Sequence, residues 1–196
     1  MPSLNFNNVK FVKSAADQKQ FIRTSLKKVV FAGKSNVGKS SVINRVLNRK
    51  NFAHVGNTPG KTVHVNYFDV DGKLYLVDLP GYGFADVAKS ERDRWGALME
   101  EYFREPENIS LGVLIVDSRH APTKDDITMC NWFLSSERPF LVLANKVDKL
   151  RSSELEPNLQ QIRDKLNLPE EIRLIPFSAE KGTGRELLVA EILNLC

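Results

Sequence analysis

Residues 29–40 read Val29-Val30-Phe31-Ala32-Gly33-Lys34-Ser35-Asn36-Val37-Gly38-Lys39-Ser40. Four apolar residues run into Gly-x-x-x-x-Gly-Lys-Ser, and a helical pattern, Lys39–Asn48, follows. Strand, glycine turn and helix in that order make a phosphate-binding loop. The glycines let the backbone curl so that several N–H groups point inward, and the helix N-terminus adds the positive end of its dipole. Lys39 supplies a point charge to the β- and γ-phosphates, and Ser40 a hydroxyl to Mg²⁺. The loop specifies a nucleoside triphosphate and leaves the base open.

Around this stretch, apolar runs alternate with longer amphipathic ones, the pattern of an α/β sheet. The strands expected are Lys28–Ala32, Val63–Val70, Lys73–Asp78, Leu111–Asp117, Pro139–Asn145 and Ile172–Phe177. Leu111–Val116 and Phe140–Ala144 are almost wholly apolar, as strands covered on both faces must be. Asp71-Gly72 is a hairpin signal that makes Val63–Val70 and Lys73–Asp78 antiparallel neighbours. Helices are expected over Lys39–Asn48, Ser90–Arg104, Lys124–Ser135, Ser153–Leu166 and Thr183–Leu195. Ser153 with Glu156 and Thr183 with Glu186 read as capping boxes, and Pro106 and Pro169 fall just beyond helix ends. Residues 1–27 carry Lys10, Lys13, Lys19 and Arg23 and read as an appended strand or helix within one unit spanning 1–196.

With 196 residues, 42% of them apolar and 27% charged, the composition is that of an ordinary globular protein with a real core. No apolar run approaches the roughly 18 residues needed to span a bilayer. The N-terminus lacks the apolar stretch of a signal peptide, so a cytoplasmic protein is expected. Its two cysteines, Cys130 and Cys196, have no metal-ligand spacing and read as free thiols. The net charge of +4 and pI of about 9.0 suit either a solvated surface or an acidic partner such as RNA.

Asn145-Lys146-Val147-Asp148 follows the buried strand Phe140–Ala144 and resembles the NKxD element of GTPases. A carboxylate can accept guanine N1–H and the exocyclic amine together. Adenine offers no such pair, so Asp148 should select guanine. Asn145 would tie the strand end to the phosphate loop, and the alkyl stem of Lys146 would cover one face of the base. Ser178-Ala179-Glu180 resembles the loop whose Ala179 N–H meets guanine O6. Asp78-Leu79-Pro80-Gly81 matches DxxG: Asp78 would reach Mg²⁺ through water, and the Gly81 N–H would sense the γ-phosphate. Between these lies Thr58-Pro59-Gly60-Lys61-Thr62, in which Thr62, with Thr58 as the alternative, would ligate Mg²⁺ in the GTP state.

These elements, in this order, resemble the TrmE–Era–EngA–EngB superfamily of GTPases, and within it the EngB (YsxC or YihA) family. The carrying segments are Gly33 to Ser41, Thr58 to Thr62 and Asp78-Leu79-Pro80-Gly81-Tyr82-Gly83, then Glu91-Arg92-x-x-Trp95 and Asp117-Ser118-Arg119-His120-x-Pro122-Thr123. Asn145 departs from the threonine that many EngB-like chains carry. The resemblance implies a Ras-like P-loop GTPase domain, with a six-stranded, mostly parallel sheet, one antiparallel strand towards an edge and helices on both faces. It also implies a GTP/GDP site that includes Gly33, Lys34, Ser35, Asn36, Val37, Gly38, Lys39, Ser40 and Ser41, with Gly60, Lys61 and Thr62. Asp78, Leu79, Pro80, Gly81, Asn145, Lys146, Asp148, Phe177, Ser178 and Ala179 complete that site. Ser40 and Thr62 are the implied metal ligands. The partner implied is the large ribosomal subunit or its RNA precursor, with roles in cell division and septation, and a monomer is expected.

Ras-like enzymes orient the attacking water with a glutamine after the DxxG glycine; this chain has Tyr82 there. Asn36 matches the asparagine that binds K⁺ in K⁺-dependent relatives, so Lys39 and Asn36 are the residues expected to promote hydrolysis. Slow hydrolysis, assisted by K⁺ or a ribosomal partner, follows. A GTP-dependent binding module with incidental hydrolysis and an ATP-using kinase are the competing readings. Trp95 reads as a core aromatic, and His120 as a loop residue.

Overall fold

The computed structural model describes residues 4–53, 63–83, 88–105 and 109–195. Thr58, Gly60, Lys61, Thr62, Pro106 and Cys196 lie outside these residues. The strands are β1 (Val9–Ala15), β2 (Lys27–Gly33), β3 (Val65–Val70), β4 (Leu74–Asp78), β5 (Leu111–Asp117), β6 (Phe140–Asn145) and β7 (Leu174–Pro176). The helices are α1 (Lys39–Val46), α2 (Lys89–Arg104), α3 (Lys124–Ser135), α4 (Ser152–Lys165) and α5 (Arg185–Leu193).

All seven strands form one sheet in the order β1-β3-β4-β2-β5-β6-β7. From β4 to β7 every pairing is parallel, while β3 runs antiparallel to both β4 and β1. The expectation of six strands is corrected to seven. The added strand is β1, which pairs its backbone with β3 and so covers what would otherwise be the sheet edge. Its alternation is broken by a register shift between Phe11 and Lys13, and that irregularity hides it from a period-two reading. The turn between β3 and β4 has both Asp71 and Gly72 at positive φ, 58° and 64°, the left-handed geometry that Asp-Gly favours.

Side chains alternate across the sheet. Val29, Phe31, Val113 and Ile115 face α1 and α5 and pack with Ile43, Val46, Leu188 and Ile192. Val30, Ala32, Leu114 and Val116 face the opposite layer and pack with Met99, Tyr102, Met129, Phe133 and Ile162 of α2, α3 and α4. Strands β2, β5 and β6 are buried on both faces, which accounts for their unbroken apolar runs.

Both expected capping boxes fail. Helix α4 starts one residue earlier, and the Glu154 carboxylate accepts the Arg151 N–H at 2.7 Å. Helix α5 starts after Gly184, held at φ 76°. A β-carbon there would meet the Pro176 carbonyl at 2.3 Å, so backbone packing rather than a side-chain cap sets this start. The reciprocal capping box belongs to α3, between Thr123 and Asp126. Among the described residues no helix is long and apolar enough to cross a membrane.

Candidate functional site

The C-terminal ends of β4, β2, β5, β6 and β7 lie side by side, and the described residues singled out from the sequence cluster at and beyond them. This is where parallel α/β sheets hold ligands, because every strand-to-helix loop opens on that edge. The register fixes the neighbours: Phe31 pairs with Asp78, Gly33 with Ile115, Asp117 with Asn145 and Ala144 with Pro176.

Gly33 ends β2, Lys34 to Val37 form the loop, Gly38 is the N-cap of α1, and Lys39, Ser40 and Ser41 begin the helix. Asn36 and Gly38 hold positive φ, 64° and 99°. The Lys39 ammonium is ion-paired with the Asp78 carboxylate, both side chains being nearly buried. The pair places the loop's cation and the DxxG acid at one point. The donors offered to a metal are oxygens, the Ser40 hydroxyl and the Asp78 carboxylate. Among the described residues there is no cluster of three or more His, Cys, Asp or Glu. So sparse an oxygen set fits Mg²⁺, which keeps water and phosphate oxygens in its shell.

Asn145, 2% exposed, joins three loops. Its Nδ2 donates to the Val37 carbonyl at 2.9 Å, and its Oδ1 accepts from the Ala179 N–H at 3.2 Å. Lys146, at φ 71°, donates to the Asn36 carbonyl at 2.8 Å and to Asp117 Oδ2 at 2.9 Å. Burial pushes the Asp117 carboxyl up, but hydrogen bonds from Arg119 and Lys146 outweigh it and hold the group well below the ordinary carboxylate range.

Asp148 accepts from the Ser178 hydroxyl at 2.6 Å through Oδ1. That bond, with Lys149 beside it, lowers the acid's pKa and keeps it ionised. Its Oδ2 is buried and ion-paired with Lys149 Nζ at 3.2 Å, and accepts no hydrogen bond. A buried ionised oxygen left in this state is a strong acceptor for a ligand donor.

Leu79 and Phe177 are fully buried and support the site from beneath. Both Phe177 backbone groups are taken, the N–H by Ala144 and the carbonyl by Val147. Pro80 accepts the Trp95 indole N–H at 3.1 Å. Trp95 packs on the core, as expected, and also touches the DxxG segment. His120 is exposed.

Two groups escaped the sequence reading. Arg45, in the last turn of α1, donates to the carbonyls of Ala179 at 2.7 Å and Glu180 at 2.6 Å and braces the Ser178–Ala179 loop. Asp126 receives the Tyr82 hydroxyl. The Thr123-x-x-Asp126 cap was the available signal for Asp126; nothing local marks Arg45. A cavity of about 220 Å³ flanks the loop between Lys34–Val37 and Asp117–Thr123. Its walls include none of Lys39, Ser40, Asp148 and Ser178.

The chain is similar to known proteins. The family model described as "50S ribosome-binding GTPase" matches residues 28–146. The chain is 40% identical over 183 residues to the "Probable GTP-binding protein EngB" of Oceanobacillus iheyensis, covering 93% of this chain and 94% of that protein. It is 43% identical to the protein of the same name from a Geobacillus species, covering 93% and 95%. A crystal structure of a probable GTP-binding protein EngB superposes with a TM-score of 0.71 at 25% identity, covering 86% of this chain and 97% of that one. Era bound to MgGDPNP and a segment of 16S ribosomal RNA shares the fold, with a TM-score of 0.62 at 23% identity over 88% of this chain and 57% of its own. The Gly33–Ser40 loop, the Asp78 acid and the Asp148 carboxylate thus meet at one sheet edge in a chain with these relatives: it belongs to the EngB family of GTP-binding GTPases.

Proposed function

We propose that the chain is a Mg²⁺-dependent GTP switch with slow intrinsic hydrolysis, acting in the cytoplasm on the large ribosomal subunit or its RNA precursor. The observation that carries the guanine reading is the Asp148 carboxylate, whose Oδ1 is held by the Ser178 hydroxyl and whose buried Oδ2 is ion-paired with Lys149 but accepts no hydrogen bond. Guanine offers two adjacent donors to such a carboxylate, and adenine would leave it unmatched at a cost of about 1–3 kcal/mol or more.

The triphosphate would be held in the curl from Asn36 to Ser41 by the N–H groups of the first turn of α1, since within the loop the Ser35 and Val37 N–H groups donate to the Tyr82 and Lys34 carbonyls. Lys39 exchanges Asp78 for the β- and γ-oxygens, and the freed Asp78 carboxylate holds a water beside Ser40. Mg²⁺, when bound there, neutralises charge between the β- and γ-phosphates. Thr62 is the proposed third protein contact, with Gly60 and Lys61 beside it. Asn36 is the candidate K⁺ ligand.

Slow hydrolysis is supported by Tyr82, which is 3% exposed with its hydroxyl on Asp126. Held so, it neither accepts a proton nor aligns a water. The alternative of a binding module whose hydrolysis is incidental rests on this same burial. The ribosomal reading is supported by the description of the matching family and by β1, which carries Lys10 and Lys13 around exposed Phe11 and Val12. Aromatic and basic side chains together suit an RNA surface. A part in cell division and septation follows from the same resemblance.

Single-turnover hydrolysis in KCl against NaCl tests the ion: a faster rate in KCl is expected, and equal rates refute a K⁺ role. Co-sedimentation with large subunits in GTP, GDP and a non-hydrolysable analogue tests the switch. Retention by the analogue and release by GDP are expected; identical binding in all three refutes it.

A further inference from the structure

The segment Leu79–Gly83 is fastened at four points. The Leu79 N–H donates to the Phe31 carbonyl at 3.0 Å, and Pro80 accepts from Trp95 Nε1 at 3.1 Å. The Tyr82 carbonyl accepts the Ser35 N–H at 2.8 Å, and Tyr82 pairs with Lys34 in an isolated parallel bridge. The Tyr82 side chain then enters the core, and its hydroxyl donates to Asp126 Oδ1 at 2.8 Å. Asp126 is itself 5% exposed. Its Oδ2 accepts from the Thr123 N–H at 2.8 Å and the Thr123 hydroxyl at 2.7 Å. The Tyr82 ring meets Trp95 edge-on at 5.9 Å, and Trp95 stacks on Trp132 at 5.7 Å.

An apolar ring would fill this place without a hydroxyl. Burying a hydroxyl and a carboxylate is unfavourable unless they satisfy one another, and a satisfied pair admits one geometry where apolar packing admits several. The segment so held lies against the phosphate loop: a β-carbon on Gly81 would stand 3.0 Å from Ser35 Oγ.

We infer that Tyr82 is a positioning residue: its bond to Asp126 holds Gly81 at the rim of the phosphate loop, so that the Gly81 N–H meets a γ-phosphate without a conformational search. The inference rests on the GTP reading above. GDP has no γ-phosphate and is indifferent to the bond. A GTP analogue binds through the docked segment, and its apparent affinity scales with the docked fraction. The Tyr82–Asp126 pair thereby sets the ratio of the GTP and GDP affinities.

The test uses the full chain and two variants, Tyr82→Phe and Asp126→Asn, with GDP and non-hydrolysable GTP analogue affinities measured by calorimetry. Both tryptophans of the chain sit in this cluster, so their emission reports the segment directly. Tyr82→Phe should weaken the analogue about tenfold, equivalent to about 1.4 kcal/mol, and change GDP by less than about twofold. It should also shift tryptophan emission before any nucleotide is added. Asp126→Asn keeps an acceptor oxygen and should fall between. Equal changes for both nucleotides, or a lowered melting temperature with an unchanged affinity ratio, would make the hydroxyl merely structural and overturn the inference. Tighter analogue binding by Tyr82→Phe would overturn it too, since the bond would then hold Gly81 away. Binding of both nucleotides by the unaltered chain tests the GTP reading separately.

Discussion

Replacing Gly38 with alanine should destabilise the ligand-free protein through Asn145, far away in sequence. Gly38 sits at φ 99°, where a β-carbon costs about 1–2 kcal/mol. That carbon would also stand 2.5 Å from Asn145 Nδ2, well inside contact distance, and Asn145 is walled in at 2% exposure. Displacing it forfeits its bonds to Val37 and Ala179, each worth about 1 kcal/mol. The sum is about 3–4 kcal/mol. Asn145→Ala alone forfeits the same two bonds and leaves their partners unpaired, costing about 2–3 kcal/mol. The double variant suffers the strain and the lost bonds once only. It should therefore be more stable than additivity allows by about 2 kcal/mol. Urea unfolding of the four proteins, followed by tryptophan emission, measures this. Additivity to within about 0.5 kcal/mol would refute the claim that the loop glycine is required by the approach of Asn145.

Asp148→Asn should lose GTP binding by at least about tenfold and gain affinity for xanthine nucleotides, read by competition; retained guanine preference would remove Asp148 from the base site. Asp71 has its pKa lowered from 3.8 to about 2 by hydrogen bonds from Lys73, Asn8 and the Asn5 N–H. A lowered carboxyl contributes stability above its ordinary pKa and loses it as pH falls through the folded value, so Asp71→Asn should flatten the stability curve between about pH 4 and pH 2. A carboxyl titration by NMR checks the value directly. Burial raises the Cys130 thiol to about 11. In a Cys196→Ser background the native protein should therefore resist a thiol reagent at pH 8 and react once unfolded; fast native labelling would contradict the burial.

The parallel core was legible because β2, β5 and β6 are short, apolar and bounded by turn residues, and a strand buried on both faces leaves no other composition open to it. The hairpin was legible because Asp71-Gly72 takes a left-handed turn that few residue pairs tolerate. For β1 the sequence left strand and helix open, because its bulge breaks the alternation and its pairing with β3 is non-local. The caps of α4 and α5 failed for a related reason: a Ser or Thr with a Glu three residues on is a local preference, and at α5 the close approach of Gly184 to the Pro176 carbonyl overrode it.

The order of Gly33–Ser40, Asp78–Gly81, Asn145–Asp148 and Ser178–Ala179 determined the family and the chemistry, because a phosphate cradle and a guanine-matched carboxylate each need particular residue types at short spacing. How those motifs are held together was decided only by tertiary structure. Asn145 meets Val37 across 108 residues, Arg45 meets Ala179 across 134, and Tyr82 meets Asp126 across 44. Contacts of that separation leave no period or spacing in the chain. They exist because a parallel sheet brings the ends of distant strands to one edge, where backbone carbonyls and buried carboxylates must find partners.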